Sequence, residues 1–186
     1  MSHGNLFVIS GPSGVGKGTV LARVLEARED LSFSVSATTR GPRKGEVDGI
    51  HYTFMTDECF RGMVARGEFL EYDLHMDASY GTPLGQLEDK LSRGNVLLDV
   101  EPKGAFIVKE KRPEAVTVFI EPSSMEELER RLRGRGDTSE EQIRIRLERA
   151  IWEISQKDRY QYVVVNDDVD RCANEILQII ARETQD

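Results

Sequence analysis

Residues 6–20 read Leu-Phe-Val-Ile-Ser-Gly-Pro-Ser-Gly-Val-Gly-Lys-Gly-Thr-Val, and their order decides the fold. The apolar run Leu6–Ile9 is a buried strand of the kind parallel sheets contain. A glycine-rich turn follows, and then apolar residues at helical spacing (Val20, Leu21, Val24, Leu25). Strand, glycine turn and helix start are the setting of a P-loop, with Gly11, Gly16 and Lys17 at the required spacing. Gly11, Gly14 and Gly16 let the backbone curl so that successive N–H groups face one concavity. The positive dipole end of the helix opening at Lys17 adds to that field. Gly11, Pro12, Ser13, Gly14, Val15, Gly16, Lys17, Gly18 and Thr19 are therefore read as a cradle for a nucleoside triphosphate, with Lys17 reaching its terminal phosphates. Gly18 stands where the common pattern has Ser or Thr, so a hydroxyl ligand for Mg²⁺ is missing there and Thr19 comes one residue late.

The remaining chain suits a parallel sheet with helices on both faces. Asn95–Val100, Val116–Ile120 and Tyr162–Val165 are further strands, and Lys17–Arg28 is the first helix. Ser124 with Glu127 opens a helix that stops near Gly134, and Thr138 with Glu141 opens a longer one. The longer helix carries Ile143, Leu147, Ala150, Ile151 and Ile154 on one face, and the last helix carries Val169, Cys172, Ala173, Ile176 and Ile180. Residues 35–83 break the alternation. Ser36–Arg40, Tyr52–Phe54 and Phe69–Asp73 read as short strands, with a helix between Thr56 and Gly67, which makes a mixed insertion beside the parallel core. Gly134-Arg135-Gly136-Asp137-Thr138 is short, polar and glycine-flanked, as a lid would be.

Composition narrows the class. The 186 residues suffice for one domain with a real core, and the net charge of −8 disfavours long nucleic acid as a partner. A cleft can still be locally positive and take a small polyanion. No apolar run approaches a membrane span, and the first residues lack the basic end of a signal peptide. Cys59 and Cys172 are expected as buried, reduced thiols on apolar helix faces of a cytoplasmic protein. No Cys/His spacing suggests zinc.

The charged residues supply the chemistry. Arg40 and Arg43 lie in a Gly/Pro-bounded loop, Arg135 in the candidate lid, and Arg146 on the helix after it. Arginine's planar fork suits phosphate, and phosphoryl transfer is catalysed mainly by positioning and charge neutralisation. Arg130, Arg131 and Arg133 are left mostly as solvated helix charges. Asp99 closes the strand Asn95–Val100 at the edge where such sheets bind ligands, and it is the natural partner for Mg²⁺, directly or through water. Glu101 falls on the same side.

Together these segments resemble the guanylate kinases, most closely the bacterial ones, over nearly the whole chain. The matching segments are Ser10–Thr19, Phe33–Arg40, Pro42–Gly49, Glu68–Tyr72, Tyr80–Thr82, Leu98–Glu101, Arg131–Gly136 and Val165–Asp168. The resemblance implies an α/β P-loop nucleoside monophosphate kinase, built as a single domain. The core is 1–34, 84–133 and 150–186, the GMP-binding segment is 35–83 and the lid is 134–149. It implies ATP-dependent, Mg²⁺-assisted phosphorylation of GMP, and of dGMP, to the diphosphate. Ser36, Arg40, Arg43, Tyr52 and Tyr80 would hold the GMP side, the last four gripping its phosphate. Ser36, Glu71, Thr82 and Glu101 would read guanine, whose N1–H and N2–H₂ donors require acceptors. Lys17, Arg40, Arg135 and Arg146 would be catalytic, Arg135 and Arg146 would close over ATP, and Asn166 would lie near its adenine.

Three positions depart from the family pattern: Pro102-Lys103, Asp77-Ala78-Ser79 and Glu101. Lys103 is placed to pair with Asp99 or Glu101 or to touch phosphate, and the loop bearing Tyr80 is expected to be held differently. Competing readings are a scaffold domain that binds phosphopeptides, disfavoured by the intact P-loop, and a kinase for a ribose bisphosphate, which has no use for a base-reading set. The sequence specifies no oligomeric state.

Overall fold

A computed structural model describes residues 4–74, 77–134 and 139–184. Five parallel strands form the central sheet in the order β2-β7-β1-β8-β9: β1 Leu6–Ser10, β2 Leu31–Ser34, β7 Asn95–Asp99, β8 Val116–Pro122 and β9 Tyr162–Asn166. Alternation along β1 divides the core. Phe7 and Ile9 face helices α1 (Lys17–Glu26), α5 (Met125–Arg133) and α7 (Val169–Glu183). Leu6 and Val8 face α3 (Leu84–Leu91) and α4 (Pro102–Lys111). Both faces are covered at the centre of the sheet, so Leu6–Ile9 and Val96–Leu98 are continuously apolar, whereas the edge strand β9 leaves Val163 and Val165 exposed.

A second, four-stranded sheet stands beside the first in the order β4-β3-β6-β5: β3 Ala37–Thr38, β4 Thr53–Phe54, β5 Phe69–Asp73 and β6 Tyr80–Pro83. Helix α2 (Asp57–Ala65) packs on it through Phe60, whose ring stacks on Phe69 at 4.5 Å between centroids. The sheet is joined to the core through α4: Lys111 Nζ donates to the Leu70 carbonyl at 2.5 Å. Helix α6 (Glu140–Ser155) runs unbroken across residue 150 and is N-capped by Ser139.

Several expectations need correction. The first helix ends at Glu26, and the strand expected over Ser36–Arg40 contracts to Ala37–Thr38. Strands β2 and β6 and helices α3 and α4 add to the expected set. Cys172 is buried but Cys59 is exposed, because α2 turns Phe60 rather than Cys59 inward. Ile151 is exposed and Glu153 is buried on α6, so the apolar face of that helix is narrower than its sequence suggests. Thr138, expected to open the longer helix, and Arg135, expected in a lid, lie outside the described residues. No helix among the described residues is long and apolar enough to cross a membrane.

Candidate active site

The phosphate-loop geometry follows from three glycines pressed against three different elements. Gly14 and Gly16 hold φ of +90° and +93°, a region L side chains avoid at a cost of roughly 1–2 kcal/mol. Space is as restrictive as torsion. A Cβ on Gly11 would lie 2.4 Å from the Ile120 carbonyl oxygen, on Gly14 2.7 Å from Leu132, and on Gly16 2.8 Å from Asn166 Nδ2. The loop is thus wedged between β8, α5 and β9. Side chains cap the N-termini of α2, α5, α6 and α7 (Thr56, Ser124, Ser139, Asp168), whereas none caps α1, α3 or α4; of these three, α1 follows the glycine loop. Among the described residues no side chain takes the first N–H groups of α1, which is the arrangement an anion site needs.

Asn166 and Arg131 hold the loop from behind. Asn166 is buried, and its Nδ2 donates to the Val15 carbonyl at 2.7 Å. Arg131 Nη1 donates to that same carbonyl at 2.9 Å, and Nη2 donates to the Asn166 carbonyl at 3.2 Å. Glu127 fixes the guanidinium from α5 at 2.7 Å, and Arg130 and Arg131 together hold the Glu127 carboxyl down to about 2. Of the three arginines on this helix, Arg131 is the one that is not a solvated charge. Its only sequence signal is its place in the Arg131–Gly136 segment.

Lys17 points across the loop to the neighbouring strand. Its Nζ lies 2.7 Å from Asp99 Oδ1 and donates to the Gly11 carbonyl at 3.3 Å. The pair follows from sheet register: β1 and β7 are adjacent, and Ile9 stands opposite Asp99. Burial works against the ammonium charge, but the facing Asp99 carboxylate more than offsets it and the Lys17 pKa is raised. Among the described residues no group of three or more His, Cys, Asp or Glu side chains converges as a metal cage. A single carboxylate at a phosphate loop suits Mg²⁺, which keeps waters and substrate phosphates as most of its ligands. Thr19, the late hydroxyl, is exposed.

The second sheet and its loops gather most of the residues expected on the acceptor side into two groups. Arg40 grips Glu46 with both arms, Nη1 to Oε2 and Nη2 to Oε1 at 2.9 Å each, and its Nε donates to Tyr80 Oη at 3.2 Å. It lies 5.3 Å from the Tyr52 ring centroid, and Tyr52 meets Tyr80 edge-on at 5.9 Å. Arg40, Tyr52 and Tyr80 thus converge. The Arg43 side chain is exposed, while its backbone N–H donates to Glu46 at 2.7 Å. Glu46 organises this loop and was missed as a site residue. The hydrogen bonds from Arg40 and from the Arg43 backbone hold its carboxyl down to about 2.

The other group is Glu71 and Thr82, both buried, with Thr82 Oγ1 donating to Glu71 Oε1 at 2.6 Å. Burial pushes the Glu71 carboxyl above its ordinary value, and the Thr82 bond only partly opposes this. Gly104 on α4 makes the room, because a Cβ there would lie 2.8 Å from Glu71 Oε2. Ser36 is half-buried and its carbonyl pairs with the Thr53 amide. Glu101, at the N-cap of α4, instead faces α6 and forms an ion pair with Arg149.

The sequence departures resolve structurally. Pro102 occupies the first turn of α4, where its missing N–H costs nothing. Lys103 lines a cleft of about 490 Å³ with Asp73, Glu101, Arg149 and Trp152, but among the described residues it pairs with neither Asp99 nor Glu101. Ser79 pins the loop before Tyr80 to the second sheet: its carbonyl accepts from the Thr39 amide and Thr38 Oγ1, and its amide donates to Thr39 Oγ1. Arg146 is half-buried on α6. The structure therefore unites Lys17 with Asp99, Arg40 with Tyr52 and Tyr80, and Glu71 with Thr82, but not Glu101 with Glu71.

A phosphate loop at the carboxyl ends of a parallel sheet, faced by an arginine–tyrosine cluster on a second small sheet, defines a P-loop kinase. A family model for guanylate kinase matches residues 3–183. The chain is 46% identical over 176 residues to the guanylate kinase of Prochlorococcus marinus subsp. pastoris, covering 94% of this chain and 96% of the relative. It is 49% identical over 182 residues to that of Caldanaerobacter subterraneus subsp. tengcongensis, covering 97% and 88%. The crystal structure of guanylate kinase from Anaplasma phagocytophilum superposes with a TM-score of 0.82 at 36% identity, covering all of this chain and 88% of that one. The chain belongs to the guanylate kinase family, enzymes that phosphorylate GMP with ATP.

Proposed function

We propose that ATP lies on residues 11–19, that GMP or dGMP lies between the core and segment 35–83, and that the γ-phosphoryl group passes in line to the acceptor phosphate. The observation carrying this reading is Lys17 Nζ at 2.7 Å from Asp99, beside a helix N-terminus that no side chain caps. Lys17 exchanges Asp99 for the terminal phosphates as ATP enters. Asp99 is the residue to hold Mg²⁺ through water, and the ion would neutralise charge on the phosphates. Asn166 and Arg131 serve the ATP side through their hold on Val15, with Asn166 beside the adenine.

On the acceptor side, Arg40, Arg43, Tyr52 and Tyr80 grip the GMP phosphate. Arg40 is already oriented by Glu46 and exchanges it for phosphate oxygens. Ser36, Glu71, Thr82 and Glu101 accept or share the guanine N–H groups. A buried polar site left unpaired by the wrong base discriminates by about 10⁴ or more. No general base is needed, since the acceptor phosphate is already an anion. Arg135 and Arg146, from the lid region 134–149, spread over the charge that develops, and closure excludes water.

The test is steady-state ADP release at saturating ATP with GMP titrated, for the unaltered protein and for Lys17→Met. GMP-dependent release that Lys17→Met abolishes, with GMP affinity preserved, supports the reading. Equal rates in the two proteins would overturn it.

A further inference from the structure

Arg149 sits where the sequence reading has no use for it. It lies on α6, three residues after Arg146, and its guanidinium joins two carboxylates from different parts of the molecule. Nη2 pairs with Glu101 Oε2 at the α4 N-cap, and Nε donates to Glu153 Oε1 at 3.3 Å. Glu153 is buried on α6 itself, and its Oε2 has no hydrogen-bond partner. A buried carboxylate so poorly satisfied is costly unless a charge is fixed against it. Arg149 is the only cation in ion-pair contact with Glu153 among the described residues, while the Lys17 ammonium acts on it from farther away. The anchor is therefore Glu153, the connector Arg149 and the anchored group Glu101.

Glu101 needs such a connector. Its side chain is about half exposed, and no cap hydrogen bond fixes it to α4. Glu71, the partner it would need across the guanine, is by contrast buried and bonded to Thr82. A free glutamate spreads over several rotamers, and immobilising it on binding subtracts from affinity. The pair with Arg149 removes that cost in advance and leaves Glu101 Oε1 unused by the arginine.

We propose that Arg149 is a positioning residue for guanine selection: held by Glu153, it fixes the Glu101 carboxylate in the orientation that accepts from the base. The proposal rests on Glu101 reading guanine, as set out above. It also ties the base-reading edge to the helix that carries Arg146. Arginine suits the task because its fork serves both carboxylates at once, which a lysine ammonium does less well.

The test measures KM and kcat for GMP and for inosine monophosphate, which lacks the 2-amino group, in Arg149→Gln, Arg149→Lys, Glu101→Ala and the Arg149→Gln/Glu101→Ala double variant. Arg149→Gln should raise the KM for GMP about three- to fivefold, the most an exposed ion pair supplies. It should narrow the preference for GMP over inosine monophosphate and leave the KM for ATP unchanged. Arg149→Lys should restore part of the preference. Glu101→Ala should lower the preference further, and adding Arg149→Gln to it should change nothing more. If Glu101→Ala leaves the preference intact, the guanine role of Glu101 is wrong and the proposal falls with it. If Glu101→Ala destroys the preference but Arg149→Gln leaves it intact, or tightens GMP, Glu101 keeps its role and the positioning role of Arg149 is overturned.

Discussion

Arg131 Nη1 and Asn166 Nδ2 both donate to the carbonyl of Val15, one from α5 and one from β9, and so the crest of the phosphate loop is held from two directions. That carbonyl is buried at the back of the loop. Fixing it also fixes the direction of the Gly16 N–H, which lies on the opposite side of the same planar peptide.

Arg131→Ala removes a charged donor from that carbonyl, and hydrogen bonds to charged groups contribute about 1.5–3 kcal/mol. The KM for ATP should rise about tenfold or more on that basis. Thermal unfolding should come about 3–8 °C earlier for a chain of this size. The KM for GMP should stay within about twofold, since distant sites add independently. Arg131→Lys should recover little, because a single ammonium does not span the Val15 and Asn166 carbonyls. Calorimetry with ATP and GMP titrated separately checks the asymmetry.

Gly104→Ala tests the acceptor side without touching phosphate. The added Cβ would lie 2.8 Å from Glu71 Oε2, so either α4 or the carboxylate must shift. Misplacing a reading group by a fraction of an ångström should raise the KM for GMP about tenfold or more. The KM for ATP should not change. Equal effects on both substrates would mean that Glu71 is remote from guanine.

Glu71 also gives a pH signature. Burial raises its folded pKa above the ordinary 4.5. The folded state then holds the proton longer than the unfolded chain does, so this group's contribution to stability falls as pH rises from about 4.5 through the folded value. Glu71→Gln should therefore flatten that part of the stability–pH curve and gain stability at neutral pH relative to the unaltered protein, while losing guanine selectivity. Urea titrations at a series of pH values provide the comparison. A steeper decline in the variant would contradict the assignment.

Arg135→Ala should depress kcat by on the order of 10³, by analogy with arginine fingers, while GMP affinity changes little. Rapid-quench measurement of a single turnover isolates the chemical step. Turnover retained within a few-fold would remove Arg135 from the mechanism.

The parallel core was legible because its signals are local and strong. The strand-loop-helix of residues 6–26 can be read from apolar runs and glycine spacing, and β7, β8 and β9 from continuous Val, Leu and Ile. The small sheet was harder. Strand β6, Tyr80-Gly81-Thr82-Pro83, holds a glycine and a proline and carries no strand signal of its own; its partners β3 and β5 define it. Helix α4 has a weak apolar pattern, and the Pro102 that opens it reads as a break. At the site, Lys17, Asp99, Arg40, Tyr80, Glu71 and Thr82 came from motif and family resemblance, and the fold brings them together in pairs. Glu46, Arg131, Arg149 and Glu153 were not legible as site residues, since an exposed and a buried charge look alike in sequence. Only the packing of α5 and α6 separates Arg131 and Glu153 from their solvated neighbours.

The most direct measurement is ADP release from ATP and Mg²⁺ with GMP, dGMP, AMP, UMP and ribose 1,5-bisphosphate offered separately. Rapid turnover confined to GMP and dGMP is the predicted result, because it requires both the phosphate cluster around Arg40 and the acceptors Glu71, Thr82 and Glu101. Rapid turnover with the bisphosphate, or GMP binding with no turnover at all, would contradict the account.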